Sequence, residues 1–449
     1  MRYTGYCRHI FRMNNSFGQL DVTIVGGGLA GMAASFHLAR AGMRVLCIEP
    51  EAEHRDTVGE SLDWSAPELL AALGLPMQRL IHEEIATYKR HVILSMRGGA
   101  AQHYVPSDWL ARPPFNVELR TIHVDRARLD RALLDIVLGA GVTFLKDKVV
   151  SVERQKKRVT AVVTQGGIEI SSRWFLDASG SGTSLFPRLF DLPMYSFGPR
   201  KVAMWDYFPV SELIEGTTLH ADCEGPFYMS WIWQIPISAN TISVGYVAPG
   251  ESIKEKRQQG MELQEIFREQ LEHFADLKEL LRAPKEISPR TTSFRCRAYG
   301  KTSGLNWLVI GESAAMVDPM TSNGVTAALR HADEASKLIM HSRHRTQLPW
   351  LARTMYSRRV VDMANFFNSG IERVFYDWPI RDRIGPLAAG DMYTIPAWSI
   401  NNIYSRIQPT GVILTMSFSF FLATLRGAMN LFYWFCVRSR SAAPVCATS

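Results

Sequence analysis

A glycine-rich turn near the start of the chain has the residue types and spacing of a phosphate-binding site. Gly26, Gly28 and Gly31 form a G-x-G-x-x-G pattern between the β-branched run 21–25 and a stretch of helix-forming composition. In that setting the glycines let the backbone approach a pyrophosphate, and the helix N-terminus offers free N–H groups and a partial positive charge. A second apolar run ends at Glu49, where a carboxylate can accept hydrogen bonds from a ribose. The pattern predicts a dinucleotide site for FAD or NAD rather than NADP.

The elements that must position this turn alternate between strand and helix early in the chain and are strand-rich later. Residues 142–152 have the pattern of a strand, and residues 159–163 and 169–171 that of a small hairpin. Several strands are predicted within residues 202–248, followed by a charged amphipathic helical stretch at 251–282. The order indicates a nucleotide-binding α/β part joined to a sheet-rich part.

The composition is that of a globular protein and excludes several other classes. The chain has 449 residues, of which 47% are apolar and 21% charged, with a formal net charge of +7. These values exclude a disordered chain, a collagen-like repeat and a small disulfide scaffold. The six cysteines form no C-x-x-C pair and lack zinc-finger spacing, so we predict no metal site and expect reduced thiols. The sequence contains no basic block with interleaved aromatic residues, so we predict no nucleic-acid partner.

The two ends of the chain differ from the rest. Residues 1–20 are polar and basic without an apolar core, which predicts a flexible N-terminal extension rather than a signal peptide. Near the other end, residues 412–425 and 427–437 are apolar runs separated by Arg426. Three interpretations of this tail remain open: a membrane-embedded or re-entrant hairpin, a buried pair of soluble helices, and a single membrane span interrupted by one arginine.

Three motifs taken together resemble the flavoprotein monooxygenase superfamily. They are the glycine-rich turn, the strand end Asp177-Ala178-Ser179-Gly180, and the segment 311–319 with the pattern G-E-x-A-A-x-x-D-P. In that superfamily a Rossmann-type FAD-binding domain is interleaved with a β-rich substrate domain, so the resemblance implies this α/β architecture here. The residues that it assigns to cofactor binding are Gly26, Gly28, Gly31, Glu49, Arg126, Asp177, Gly311, Glu312 and Asp318.

Further segments narrow the resemblance to flavin-dependent halogenases. Residues 59–62 are similar to the G-E-S stretch of that family. Lys89, 30 residues after Gly59, lies in a segment that resembles the one carrying the family's catalytic lysine. Residues 231–236 match the family signature W-x-W-x-I-P, which lies near the flavin and is formed here by Trp231, Trp233 and Pro236.

Residues 311–326 resemble the family loop that cradles the flavin and holds the halide. The residues to which the resemblance gives this role are Pro319, Thr321, Ser322, Gly324 and Val325. The glutamate that tryptophan-type members carry before this loop is replaced by Met320 and Thr321, which argues against free tryptophan as the substrate.

The resemblance implies an FAD-dependent halogenase in which Lys89 delivers an oxidised halogen to an electron-rich aromatic carbon. Because the sequence contains one dinucleotide turn, we assign it to FAD and expect a separate flavin reductase to supply the reduced flavin. The apolar tail favours an apolar or carrier-tethered aromatic substrate. We expect a cytoplasmic protein. If either membrane interpretation of the tail holds, we expect the tail to attach the protein to the inner face of the membrane.

Three alternative functions remain open. A flavin hydroxylase that inserts oxygen into a phenol needs neither a halide nor Lys89. A double-bond reductase similar to the geranylgeranyl reductases shares the FAD unit and a related aromatic–proline segment. The residues that separate a halogenase from such a reductase are Trp233 and Lys89. A membrane-bound flavoprotein scaffold without activity is the third.

The predicted domain order has three parts: an extension at 1–20, a halogenase-like region at 21–385 and the apolar tail at 386–449. Within the middle region we expect FAD-binding parts at about 21–90, 120–185 and 300–340, substrate-domain parts at about 91–119 and 186–299, and helices at 341–385.

Overall fold

The structure is a computed structural model, and it describes residues 17–50, 58–97, 101–104, 111–114, 116, 120–212, 215–222, 229–282, 286–376, 392, 396–397, 399–400, 402–408 and 410–441. The strands are β1 (Leu20–Val25), β2 (Val45–Ile48), β3 (Ala86–Lys89), β4 (Val92–Met96), β5 (Gln102–Tyr104), β6 (Thr121–Val124), β7 (Thr143–Leu145), β8 (Val149–Gln155), β9 (Arg158–Thr164), β10 (Glu169–Asp177), β11 (Met194–Pro209), β12 (Thr217–Asp222), β13 (Ser230–Ser238), β14 (Thr241–Pro249), β15 (Arg290–Tyr299), β16 (Trp307–Val309) and β17 (Ala315–Met316).

The α-helices are α1 (Leu29–Arg40), α2 (Ala66–Ala72), α3 (Met77–His82), α4 (Arg126–Gly139), α5 (Leu185–Leu189), α6 (Gly250–Gln258), α7 (Leu263–Glu272), α8 (Ala275–Leu280), α9 (Gly324–His341), α10 (Trp350–Ile371) and α11 (Val412–Ser441). A π-helical turn, Glu372–Tyr376, continues α10.

The first sheet carries the glycine-rich turn. Its strand order is β7-β2-β1-β10-β9-β8, and β16 pairs with β10. Strands β7, β2, β1, β10 and β16 run parallel, whereas β9 and β8 are antiparallel. Because the parallel strands are covered on both faces, they are continuous apolar runs such as Val45–Ile48, which is buried throughout. Helix α1 follows β1 directly and packs against α4 and α9.

The second sheet carries the signature tryptophans. Its eight strands have the order β17-β15-β11-β14-β13-β12-β4-β5. One face packs against α6, α7 and α8 through side chains such as Phe267 and Leu271. The opposite face, which includes Trp231 and Trp233, packs against α10, the π-helical turn and α11. Strand β13 therefore lies inside the molecule, between two layers of helices.

A third, two-stranded sheet joins the two larger ones. It pairs β3 with β6 and ends at Lys89 opposite Thr121. An isolated bridge connects Ser61 to His123 of β6. This small sheet brings the G-E-S segment next to the predicted catalytic lysine.

The predicted α/β class is confirmed, with differences in detail. The predicted strand at 142–152 is two strands, β7 and β8, because the side chain of Asp147 accepts the N–H groups of Lys148 and Gly166 and turns the chain. One arm of the predicted hairpin, at 169–171, continues through Asp177 as part of β10. Residues 1–16 of the predicted extension and residues 377–391 lie outside the described residues.

The apolar tail is one continuous helix. Helix α11 runs through Arg426 without a break, so the hairpin and the helix pair are wrong for this segment. Arginine is a good helix former, and a single charge does not end a helix. One side of α11 packs on α10 through Phe418, which is 1% exposed, whereas Ile413 and Phe420 on the other side are 81% and 75% exposed. By length and composition alone, Val412–Arg438 could cross a membrane.

Candidate active site

The carboxyl ends of three parallel strands bring the predicted cofactor residues to one edge of the first sheet. Val25 of β1 lies beside Asp177 of β10, and Asp177 lies beside Val309 of β16. Gly26 follows β1, and Gly311 comes two residues after β16. Three motifs that are far apart in the sequence thus meet at this edge. Open α/β sheets bind their ligands outside the carboxyl ends of the strands.

The glycine-rich turn fits a pyrophosphate. Gly26 has a φ of +102°, and a Cβ there would lie 2.2 Å from the carbonyl oxygen of Ala178. A Cβ at Gly31 would lie 1.9 Å from the carbonyl oxygen of Gly26, so this glycine lets α1 begin against β1. A Cβ at Gly28 would meet nothing within 4 Å, so the space in front of this residue is open to a ligand. The N-terminus of α1 adjoins that space and favours an anion.

The other predicted cofactor residues differ in what they contact. Glu49 accepts the N–H of Gly27 through Oε2 at 2.6 Å, which fixes the carboxylate beside the turn. Glu312 is exposed after β16. Arg126 forms a bidentate pair with Asp130, with N–O distances of 3.2 and 3.1 Å. The predicted contacts of these three side chains with a bound dinucleotide stay predictions.

Asp177, in contrast, is buried and holds its own loop. Its Oδ1 accepts the N–H of Ser179 at 3.0 Å, and its Oδ2 accepts the N–H of Phe186 at 2.7 Å. Burial raises the pKa of this carboxyl, and the hydrogen bonds oppose that shift. Asp177 therefore supports the loop after β10, and its predicted contact with the cofactor stays a prediction.

Lys89 reaches two of the segments that the sequence associates with it. Its Nζ donates to the carbonyl oxygen of Leu62 at 3.2 Å and to Oγ of Ser322 at 3.5 Å. Burial lowers the pKa of Lys89 to about 8, and the nearby carboxylate of Asp63 opposes this shift. The lysine, the G-E-S segment and the predicted halide loop are therefore neighbours in space.

Asp63 is a site residue that the sequence patterns did not single out. Its Oδ1 accepts the hydroxyl of Thr326 at 2.5 Å and the N–H of Ser65 at 2.9 Å. Its Oδ2 is buried without a hydrogen-bond partner among the described residues. Burial raises the pKa of Asp63, and its hydrogen bonds and the charge of Lys89 oppose the shift. Its position just after the G-E-S segment was the available signal.

The predicted halide loop is a tight turn that leads into α9. Pro319–Thr321 form one 3-10 turn, Ser322 has a left-handed φ of +62°, and α9 begins at Gly324. The first N–H groups of a helix, here those of Gly324 and Val325, have no carbonyl partner within the helix. Together with the helix dipole they favour an anion at this end of α9.

A buried ion cluster holds the predicted halide loop through Asp318. Oδ2 of Asp318 accepts Nζ of Lys201 at 2.8 Å, and Lys201 also contacts Glu372 at 2.8 Å. Oδ1 of Asp318 accepts the N–H of Met320 at 3.0 Å and the hydroxyl of Tyr376 at 3.2 Å. Protein donors thus contact both oxygens, so Asp318 supports the loop, and its predicted contact with the cofactor stays a prediction.

The signature tryptophans connect the second sheet to this cluster. Trp231 donates through Nε1 to the hydroxyl of Tyr376 at 2.8 Å, and Trp233 donates to Oγ of Ser243 at 3.0 Å. A Cβ at Gly245 would lie 2.1 Å from the ring of Trp233, so the ring lies flat on this strand. The carbonyl oxygen of Pro236 accepts the hydroxyl of Thr87, in the strand that carries Lys89, at 2.6 Å.

We expect Lys201→Met to lower the free energy of unfolding by about 3–5 kcal/mol, because it leaves two buried carboxylates without their cation. Burial alone would lower the pKa of Lys201, but the carboxylates of Asp318 and Glu372 outweigh it and raise that pKa. Denaturant unfolding measures the change. Lys278→Met, at an exposed position of α8, is the matched control and should shift the free energy by less than about 0.5 kcal/mol. Equal effects of the two changes would contradict a structural role for the cluster.

The ion cluster had almost no signal in the sequence. Lys201 and Glu372 are 171 residues apart and belong to no motif. Only the apolar residues that follow Lys201 hint that this lysine is buried.

Comparison with known proteins gives matches over most of the chain. The family model described as "Tryptophan halogenase" matches residues 117–368, and the model described as "FAD dependent oxidoreductase" matches residues 21–186. A 1H-pyrrole-2-carbonyl peptidyl-carrier protein chlorinase of Pseudomonas fluorescens is 28% identical over 367 residues, which cover 70% of this chain and 74% of that protein.

Two further comparisons also give flavin-dependent or tryptophan halogenating enzymes as similar proteins. Tryptophan 2-halogenase of Chondromyces crocatus is 28% identical over 328 residues, covering 69% of this chain but only 59% of that protein. Among solved structures, a triple mutant of the flavin-dependent brominase Bmp2 has a TM-score of 0.73 at 20% identity, covering 92% of this chain and 99% of that one. The structural likeness shows the shared fold. Because the first family model matches more than half of the chain, the protein belongs to the tryptophan halogenase family and is an FAD-dependent enzyme, a flavin-dependent halogenase.

Proposed function

We propose that this enzyme halogenates an electron-rich aromatic carbon of an apolar or carrier-tethered substrate, with Lys89 as the catalytic residue. One observation carries the proposal: Nζ of Lys89 lies between Leu62 of the G-E-S segment and Ser322 of the predicted halide loop. When bound, reduced FAD would give two electrons to dioxygen, and the oxygen so reduced to the peroxide level would take two electrons from a halide, which gives hypohalous acid and water. The N-terminus of α9 would bind the halide, and the helices over the second sheet would exclude water.

The chemistry at Lys89 is an electrophilic substitution. Hypohalous acid and an arene give an aryl halide and water: a carbon–halogen bond forms, and the halogen–oxygen and carbon–hydrogen bonds break. The arene supplies the electron pair, and the proton that it loses ends in the water. An ammonium that donates to the oxygen of the acid stabilises the charge that develops there. An amine that takes up the halogen first is the alternative.

We expect turnover to fall as the pH rises through about 8, because that is the value to which burial lowers the pKa of Lys89 and the neutral amine is the weaker donor. A pH–rate profile of the halogenation step measures this. A fall on the acid side of the same value would instead assign the reaction to the free amine.

The substrate class is supported by two observations. The Pseudomonas fluorescens relative is named for a pyrrole-2-carbonyl group on a peptidyl-carrier protein. Met320 and Thr321 stand where the resemblance places a glutamate in enzymes that act on tryptophan. We propose a separate flavin reductase as the source of reduced flavin, since the sequence has one G-x-G-x-x-G turn.

The test uses the purified full chain with FAD, a separate NADH-dependent flavin reductase and bromide. Pyrrole-2-carboxylate is offered free and loaded on a carrier protein, alongside free phenols and free tryptophan. We expect bromine in a phenol or in the carrier-loaded pyrrole, no product from tryptophan and none without the reductase. A halide-independent gain of one oxygen or of two hydrogens would assign the enzyme to hydroxylation or to double-bond reduction.

For localisation, we propose that α11 lies on the cytoplasmic surface of an anionic membrane. Its buried side is fixed to α10 by polar contacts, since Arg359 donates to Oγ1 of Thr415 at 2.7 Å and Arg358 donates to Oγ of Ser419 at 3.1 Å. The opposite side exposes large apolar side chains such as Phe420 and Phe435. Residues 392–449 contain four arginines and no acidic residue, which complements anionic lipid.

We expect the full chain to float with phosphatidylglycerol vesicles and to remain mostly at the bottom of the gradient with phosphatidylcholine vesicles. The double change Phe420→Ser and Phe435→Ser should reduce the floated fraction at least about fivefold, because it removes apolar area from the exposed side. Val150→Ser, at an exposed apolar residue of β8 in the first sheet, is the matched control. Equal flotation of all three proteins would contradict attachment through α11.

A further inference from the structure

A linear chain of hydrogen bonds, here called the file, leads from Lys89 towards the signature strand. Nζ of Lys89 is 3.5 Å from Oγ of Ser322, which is 3.0 Å from Oγ of Ser61. Oγ of Ser61 is 3.3 Å from Oγ1 of Thr217, which is 2.9 Å from Nε2 of His123. Three side chains, joined by four hydrogen bonds, thus connect the lysine to the imidazole of His123.

The far end of the file fixes the direction of its last hydrogen bond. Oγ1 of Thr87 is 3.3 Å from Nδ1 of His123 and 2.6 Å from the carbonyl oxygen of Pro236. A carbonyl oxygen can only accept, so the single hydroxyl proton of Thr87 points to Pro236. The hydrogen on the link between Thr87 and His123 must therefore be on Nδ1.

The charge state of His123 then fixes the next link. Burial lowers the pKa of His123 well below its ordinary value, and the positive charges of Lys89 and His91 act in the same direction. A neutral imidazole with its proton on Nδ1 accepts through Nε2. Thr217 must then donate to His123.

Each remaining link follows from the one before it. Because Thr217 uses its only proton on His123, Ser61 must donate to Thr217. Ser322 must in turn donate to Ser61, which leaves a lone pair of Ser322 for Lys89. Every hydroxyl in the file thus turns its oxygen towards the lysine. Aligned hydrogen bonds of this kind polarise one another and strengthen the acceptor at the end of the chain.

We propose that this oriented file makes Thr87, His123 and Thr217 positioning residues for Lys89: it holds His123 as the Nδ1–H tautomer and keeps the lysine a hydrogen-bond donor. The proposal connects the signature strand to the lysine, because the carbonyl oxygen of Pro236 fixes the donor and the acceptor of every hydrogen bond in the file. It rests on the proposed catalytic role of Lys89 only for its effect on turnover. The file itself is a property of the folded chain.

Other charged and titratable groups face the lysine and must be counted. Asp63 favours the ammonium form of Lys89, and its carboxyl lies within the range of Arg330 as well. His91 faces His123. Arg90 is paired with Glu215 at 2.7 Å on the surface. Substitutions at Thr87 and Thr217 leave all of these groups in place, so a change in Lys89 can be assigned to the file.

The first test reads the tautomer directly. NMR of the full chain with ¹⁵N-labelled histidine, assigned with His123→Gln, is expected to show His123 neutral from pH 6 to 9 with the proton on Nδ1. Thr87→Val removes the acceptor of that proton and should shift the population towards the Nε2–H form. Thr217→Val should leave it on Nδ1. An Nε2–H tautomer or an equal mixture in the unmodified chain would overturn the proposal.

The second test measures the pKa of Lys89 and does not require turnover. The pH dependence of acetylation of Lys89 by acetic anhydride, followed by peptide mass spectrometry, gives its pKa. Thr217→Val should lower that pKa and raise the acetylation rate at pH 7 by about two- to fivefold, because Ser61 and Ser322 lose the acceptor that orients them and the oxygen of Ser322 is no longer held towards the charged form of Lys89. Thr217→Ser keeps the hydroxyl and should restore the original rate. Unchanged acetylation in Thr217→Val, with FAD affinity and circular dichroism intact, would overturn the proposal.

Turnover separates this proposal from the proposed function. If the enzyme halogenates, Thr217→Val should lower kcat by about tenfold, leave KM within about twofold and move the alkaline limb of the pH profile to lower pH. If the chain halogenates nothing while the tautomer and acetylation results hold, the proposed function fails and the file stands.

Discussion

Lys89→Ala is expected to lower halogenation turnover by at least about 10³-fold while FAD affinity stays within about twofold. The change removes the ammonium that would donate to the departing oxygen, and such a group contributes about 10²–10⁴-fold. It also removes the only cation that the structure places between Leu62 and Ser322 among the described residues. The measurement is halogenated product per minute beside flavin titration. Oxygen consumption should continue without product.

The control for this experiment is a lysine in a different setting. Lys146 is exposed between β7 and β8, and Lys146→Ala should leave turnover within about twofold. Lys89→Arg keeps the charge but changes the donor geometry, so it should recover only part of the lost turnover. Normal turnover in Lys89→Ala would remove Lys89 from the reaction.

Gly28→Val is expected to weaken FAD binding by at least about 100-fold without unfolding the protein. A Cβ at Gly28 meets no protein atom within 4 Å, and its φ of −68° suits any residue, so the chain itself tolerates the change. The new side chain would instead occupy the space in front of the N-terminus of α1, where the pyrophosphate is expected. Flavin absorbance after purification and FAD titration measure the effect, and the melting temperature of the FAD-free protein should move by less than about 2 °C.

Gly139→Val is the matched substitution. Gly139 ends α4, and a Cβ there also meets nothing within 4 Å, but it lies away from the glycine-rich turn. This variant should bind FAD as the unmodified chain does. If both variants bind FAD normally, the dinucleotide does not lie on this turn.

The sequence predicted those parts of the site that local rules determine. The glycine-rich turn and Glu49 are readable because each glycine answers a local steric demand within one βαβ unit. The link between Lys89 and the halide loop was implied by resemblance, and the structure brings Ser322, 233 residues away, to its Nζ. The parallel strands were readable as apolar runs, since they are buried on both faces.

The remaining parts depend on contacts between distant segments. The contact of Asp318 with Lys201, 117 residues away, was not predicted, because the motif that contains Asp318 carries no sign of that lysine. The loop-holding role of Asp177 was missed for a similar reason, since its partner Phe186 is nine residues on. Two of the three interpretations of the tail placed a break near Arg426, but tertiary packing of α11 on α10 supports one helix through that charge.

High-resolution mass spectrometry of metabolite extracts tests the central claim most directly, because it detects a halogenated product whatever the substrate is. Cells producing the unmodified protein are compared with cells producing Lys89→Ala, each grown with chloride and with bromide. We predict a compound with a chlorine or bromine isotope pattern only where Lys89 is present. A Lys89-dependent compound that differs by one oxygen or two hydrogens and carries no halogen would contradict halogenation by this enzyme.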